Sequence, residues 1–304
     1  KGFYIIKKDN ATSPETQPFS VSFSDTVVVG FHSETESPEQ GSTQITTGSY
    51  FNYNPTWSSD GNKIAYESRI SSNNYDIWMT SISEGSATQI THIGRAEQPS
   101  WSPDGSKIAF RIFTNGNFDI LTMSISGDNL LSLTNDSAID AFPCWSPDGT
   151  KIAFESDRSS NGQNNIWIIP ATGGTAQQIT RNLGSIHHPS WSPDGNYIAF
   201  SSNYNGNWDI WIIPANGGNA IQITTDPADE FSPGWSPDGS LLAFVSNKHG
   251  NQDIWVIPVS GGEAVQITTH PGDEGAPEWS PDGTKIAFDA FRRGSADIWI
   301  ISVP

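Results

Sequence analysis

The chain has 304 residues, with 33 Asp and Glu against 15 Lys and Arg, a net charge of −18. That balance argues against nucleic acid and anionic lipid as partners, since both would be repelled, and it favours a cation or a basic surface. The single cysteine, Cys144, rules out an internal disulfide and reads as a buried, inert thiol, and no apolar run approaches the ~20 residues of a membrane helix.

The sequence starts at Lys1 with no leader in view, as expected where a leader has been removed or the ends trimmed. Phe3-Tyr4-Ile5-Ile6-Lys7 reads as a strand, and residues 8–17 as a polar, mobile loop around Pro14. Phe19-Ser20-Val21-Ser22-Phe23 alternates as a strand does. Residues 23–33, F-S-D-T-V-V-V-G-F-H-S, look like a worn copy of a motif that dominates the rest of the chain.

That motif is W-S-P-D-G, at residues 101–105, 145–149, 191–195, 235–239 and 279–283, with a variant W-S-S-D-G at 57–61. Its tryptophans, Trp57, Trp101, Trp145, Trp191, Trp235 and Trp279, are spaced by 44, 44, 46, 44 and 44 residues. A fixed period of this length marks a propeller or solenoid. Within one copy, Ser232-Pro233-Gly234-Trp235 predicts a short strand, and Ser236-Pro237-Asp238-Gly239 a tight turn, with proline fixing φ and glycine following. Leu242 to Ser246 predicts a second strand, residues 247–252 a polar loop, and Asp253-Ile254-Trp255-Val256-Ile257-Pro258 an apolar strand covered on both faces. Ser260-Gly261-Gly262 turns the chain into a fourth strand at residues 264–268.

Four short antiparallel strands per repeat describe a propeller blade. The pattern P-x-W-S-P-D-G-x-K-I-A-F, then D-I-W-I-I-P, G-G and Q-I-T, resembles the TolB-type, WD-repeat-like β-propeller family from about residue 41 to the C-terminus. The resemblance implies an all-β propeller whose tryptophans wedge between blades; Trp208 alone stands outside the two repeated tryptophan positions. It implies a role in binding proteins of the cell envelope, with partners docking at the propeller mouth. In that family an α/β domain precedes the propeller, and residues 1–40 are too short to hold one.

The blade count rests on how the ring closes. The chain reads as one domain over residues 1–304, with six repeats in 48–304. We expect seven blades: residues 18–47 as a degenerate, three-stranded blade, and the strand at 3–7, within residues 1–17, completing the last one. The alternative is six blades plus an N-terminal extension, with Thr43-Gln44-Ile45-Thr46-Thr47 as the closing fourth strand, since residues 41–304 make six units of 44. A further option is that residues 3–7 pair with a neighbouring molecule and build a filament.

Chemistry in a propeller sits on the loops before the inner strands. There stand Glu97, Asp140, His187, His188, Glu230 and Glu274, which form a candidate binding rim. Asp140, Glu230 and Glu274 are candidate calcium ligands, since hard cations take carboxylate oxygens. Their recurrence at one repeat position equally suits a packing role. No nucleophile elbow, P-loop or zinc signature is present. The sequence therefore points first to a secreted or periplasmic module binding a protein or polysaccharide. A self-assembling extracellular scaffold and a carbohydrate lyase or hydrolase working at His187, His188 and Glu230 are the alternatives.

Overall fold

Residues 41–303, apart from 49, 73, 84, 115, 160 and 161, are described in a computed structural model. They form six four-stranded antiparallel sheets. The first sheet is β2 (Phe51–Trp57), β3 (Lys63–Ser71), β4 (Asn74–Ser81) and β5 (Ala87–Gln89), and four more follow in the same order. The sixth takes Glu274–Trp279, Lys285–Arg292 and Ser295–Ser302 from the end of the chain, and its fourth strand is β1 (Ser42–Gln44). Ser42 pairs with Ile301 and Gln44 with Trp299. Sheet six then packs on sheet one through Trp57, Ile64, Tyr66, Ala287, Ile298 and Ile300.

The expectation of seven blades is thereby corrected to six. The place assigned to residues 3–7 is held by β1, so the last blade is complete without them. The remaining N-terminal readings, at residues 3–7 and 18–40, lie outside the described residues.

The blades form because each strand has a face for either neighbour. Phe110, Phe154, Phe200, Phe244 and Phe288 of the second strands are fully buried, and Tyr66 takes their place in blade one. The third strands are apolar on both faces, as at Ile210, Trp211, Ile212 and Ile213, all buried between blades. Five of the six motif tryptophans are buried and Trp235 is half-buried. Each indole removes on the order of 200 Å² from water, the largest single apolar contribution a residue makes to the wedge.

The W-S-P-D-G turn is held by its own side chains. Ser236 Oγ donates to Asp238 Oδ1 at 2.6 Å, Ser240 N donates to the same oxygen at 3.0 Å, and Gly239 takes φ of 73°. The same serine–aspartate bond measures 2.6 Å at Ser58, Ser102, Ser146, Ser192 and Ser280. The aspartate of D-I-W has a second structural task. Asp76 Oδ1 accepts from Thr91 Oγ1 at 2.7 Å, and Thr91 Oγ1 accepts from Ile77 N at 2.8 Å. This clamps the short fourth strand to the third.

Candidate functional site at the channel mouth

The six inner strands surround a channel of about 320 Å³. Each inner strand carries a β-bulge three residues before its tryptophan, seen as a register shift such as that between His187 and Ser190. At that position the backbone is left-handed in every blade: φ is 50° at Asn54, 56° at Gln98, 49° at Phe142, 55° at His188, 53° at Ser232 and 47° at Ala276. None of the six is glycine, so each conformation costs about 1–2 kcal/mol that neighbouring contacts must offset. The proline that follows, as at Pro143 and Pro189, suits an inner edge strand whose N–H is not needed for pairing.

At four of these bulges the backbone N–H is bound by a side chain of the preceding blade. Asp289 Oδ2 accepts from Asn54 N at 3.1 Å, Glu67 Oε2 from Gln98 N at 2.9 Å, and Glu155 Oε2 from His188 N at 3.3 Å. Phe142 N donates instead to Gln98 Oε1 at 2.8 Å. Deeper in the channel, Glu278 Oε1 accepts from Thr56 Oγ1 and Trp57 N, both at 3.2 Å. The channel wall beside it includes Ser100, Cys144, Ser190 and Gly234.

Burial dominates the titration of these groups. It pushes the Glu67 carboxyl up to about 7 and Asp289 to about 6, against backbone bonds from Gln98 and Asn54 that pull the other way. Burial pushes Glu278 to about 8 and the Cys144 thiol to about 12. His188 falls to about 3, chiefly from burial and then from His187 and Arg111 nearby, so its imidazole is neutral. Glu67, Asp289 and Glu278 thus exchange protons near neutral pH rather than forming a fixed block of negative charge.

Around the mouth lies a crescent of aromatic side chains. Arg111 sits over Phe118 and Phe142, the latter packs edge-on against His188 at 4.1 Å, and His187 lies 4.9 Å from Trp208, which in turn lies 5.5 Å from Phe231. His187 Nδ1 is 2.9 Å from Glu155 Oε2, and Glu97 is held by Arg111, with Nε donating to Oε2 at 2.9 Å. Trp208, His187, His188, Phe142 and Phe231 are all half-buried, which leaves part of each ring open to a ligand.

Of the rim residues expected from sequence, Glu97, His187 and His188 meet here. Asp140, Glu230 and Glu274 do not: each is buried, and none of them lines the channel. Asp140 is bound by Arg158 at 2.8 and 2.6 Å, and Glu274 by Arg292. The three are not brought together as calcium ligands, and no group of three or more His, Cys, Asp or Glu fit to hold a metal ion occurs among the described residues. Sequence reading missed Glu67, Glu155, Asp289 and Glu278. The first three follow the buried aromatic of the second strand, a position held elsewhere by Arg111, Ser201 and Val245, and its variability within an otherwise uniform repeat is the signal that would have found them.

A ring of six four-stranded blades with bulged inner strands defines a β-propeller. The sequence profile of the TolB beta propeller domain matches residues 39–163 and 227–304, more than half of the chain, and the protein belongs to this family. The profile of the Tricorn protease N-terminal beta propeller domain matches residues 161–252. The chain is similar to the crystal structure of TolB from Acinetobacter baumannii, at 26% identity and a TM-score of 0.70, over 78% of this chain and 59% of that one. It thus spans less than two thirds of that relative. A putative TolB from Agrobacterium tumefaciens aligns at 21% identity and a TM-score of 0.68 over 86% of this chain and 93% of that one. An oligogalacturonate lyase in complex with manganese shares the fold at 14% identity and a TM-score of 0.61, over 88% of this chain and 94% of that one. A search of curated proteins gives no match. No helix among the described residues is long and apolar enough to cross a membrane.

Proposed function

We propose that the protein is a periplasmic or secreted protein-binding module that receives a segment of its partner at the channel mouth. The observation that carries this reading is the mouth itself: six bulged strands, strained alike, surround one opening flanked by a crescent of half-buried aromatic groups. Aromatic groups presented on a rigid frame are the usual anchors of protein interfaces, because they bury much area with little loss of side-chain freedom. The carboxyl groups beneath suit a donor-rich or basic segment, and the net charge of −18 agrees. Membership of the TolB family supports both the binding role and the envelope location.

The described ring gives less support to the other readings. The last blade is completed by the chain's own β1, so it offers no open edge for a second molecule to fill. A lyase or hydrolase at His187, His188 and Glu230 would need these groups to converge, and Glu230 lies apart from the histidine pair.

The experiment is retention of envelope proteins, and of a polysaccharide panel, on the immobilised protein and on a Phe142→Ala, Trp208→Ala double variant. A protein held by the parent and lost from the variant supports the proposal. Equal retention by both, or retention of polysaccharide alone, sinks it.

A further inference from the structure

A repeat at fixed spacing lets each blade serve as a control for the others. Five residues before the motif tryptophan stand Asn52, Ala96, Asp140, Ile186, Glu230 and Glu274; eighteen residues after each stand Ile70, Thr114, Arg158, Tyr204, Lys248 and Arg292. Every acid in the first set faces a base in the second, and no other blade has either. In two of the three pairs the geometry is closed. Arg158 binds Asp140 with both carboxylate oxygens and lies 5.1 Å over Phe154 and 5.3 Å over Trp167. Arg292 binds Glu274 and lies 5.8 Å over Phe288 and 4.2 Å over Trp299. A carboxylate, a phenylalanine and a tryptophan thus form a socket for a guanidinium group in each.

Blade five builds the same socket from Glu230, Phe244 and Trp255, but its own base does not close it. Lys248 Nζ turns to Asp226 Oδ2 at 2.7 Å and lies 5.6 Å over Trp255. An ammonium is a compact charge and commits to one carboxylate, whereas the Arg158 fork reaches Asp136 at 3.4 Å as well as Asp140. Glu230 is a buried carboxyl, 3% exposed, bonded by the Thr224 side chain, and its Oε2 accepts no hydrogen bond among the described residues. Burial pushes this carboxyl up to about 7. It faces a cleft of about 440 Å³ between blades four and five, which Phe244, Trp255, Asp226, Lys248 and Glu263 also line. The cleft shares no lining residue with the channel, so the two sites are separate.

We propose that this cleft is a second binding site, one that takes an arginine side chain of a partner polypeptide, with the guanidinium on Glu230 and against Phe244 and Trp255. The chemistry specifies arginine over other cations. A flat, weakly hydrated fork stacks on aromatic faces and presents paired donors to a carboxylate, and the same chain uses that arrangement twice. A metal ion is disfavoured because Glu230, Asp226 and Glu263 do not converge into a ligand set. The volume exceeds one guanidinium group, which leaves room for the stem and backbone that carry it. The site does not depend on the channel-mouth reading: either can fail alone.

The test uses calorimetric titration of the full chain with Nα-acetyl-arginine amide, its lysine counterpart, and agmatine. The wild type should bind the arginine derivative saturably, ~10-fold or more tighter than the lysine one. Glu230→Gln should lose that preference. Lys248→Arg should lose binding altogether, because its own side chain fills the socket as Arg158 and Arg292 fill theirs, and its melting temperature should be no lower than that of the wild type, which separates occupancy from misfolding. Arginine binding undiminished in Lys248→Arg, or equal affinity for both derivatives, overturns the site. Agmatine binding more tightly than the capped residue overturns the assignment to a polypeptide.

Discussion

Thr46 Oγ1 donates to Asp297 Oδ1 at 3.0 Å, across 251 positions of sequence. In every other blade the equivalent threonine follows its aspartate or asparagine by 15 residues, as Thr91 follows Asp76 and Thr180 follows Asn165. The ring is thus shut by the same clamp that finishes each blade, supplied from the opposite end of the chain. Thr46 also accepts from Ile298 N at 2.9 Å and Asn52 Nδ2 at 3.1 Å. Thr46→Val should therefore leave buried partners unsatisfied and cost about 2–3 kcal/mol in denaturant unfolding. A loss below ~0.5 kcal/mol, the range of an ordinary surface change, would show that the clamp does not hold the ring.

All four strands of the last blade lie within residues 42–302. Removal of residues 1–36 should leave a folded ring whose melting transition matches that of the full chain. A collapse of cooperativity on truncation would mean that the excised segment completes the structure after all.

The channel carboxyls contribute their own pH response. Glu67, Asp289 and Glu278 have folded-state values raised to about 7, 6 and 8. At these three positions the folded state holds more protons than the unfolded one between the ordinary carboxyl range and these values, so their contribution to stability is full at about pH 4 and declines as pH rises toward 8. Glu278→Gln keeps an acceptor for Thr56 and Trp57 and removes the charge. Its melting temperature should exceed that of the parent at pH 8 and match it at pH 5; an equal gap at both values would refute the cause.

Gly234 is required by space rather than by φ. A Cβ there would lie 2.7 Å from the Pro277 carbonyl oxygen of the next blade. Gly234→Ala should destabilise the protein by about 1–3 kcal/mol, the usual cost of forcing extra volume between packed backbones. Blades two and four carry Ser100 and Ser190 at this position, so an unaffected variant would locate the close approach elsewhere.

Cys144 faces the channel with its thiol pushed up to about 12 by burial. Only the thiolate reacts with alkylating reagents, so iodoacetamide should label the native protein very slowly at pH 8 and rapidly in denaturant. Comparable rates in both would mean that the channel wall opens freely.

The fold was legible because the period is fixed and the turn residues are chemically specific. The blade count was less so: residues 23–33 imitate the repeat, and the strand at 3–7 competes on pattern with β1. The deciding clue was polar, since only the segment at 43–47 carries the threonine that Asp297 needs. At the site, the histidine pair stood out because it breaks the repeat. Glu67, Glu155 and Asp289 did not, because they sit within strands that read as blade core, and only the variability of their position across the repeats sets them apart. The partnership between residues eighteen apart was hidden for a similar reason. Its meaning appears only when the blades are superposed and one of three arginine positions proves to be lysine.

The bulge found in all six inner strands has an evolutionary consequence. Where the partner is a carboxylate or Gln98, the backbone there is anchored by the preceding blade through its N–H, which no substitution except proline removes. Apart from Gln98, whose side chain holds the bulge at Phe142, and Asn54, which bonds to Glu67, the side chain projecting from it carries no such bond, and its identity ranges from Ala276 to Phe142. A propeller of this design can therefore exchange its contact residues one blade at a time, acquiring new partners while its frame stays as it was.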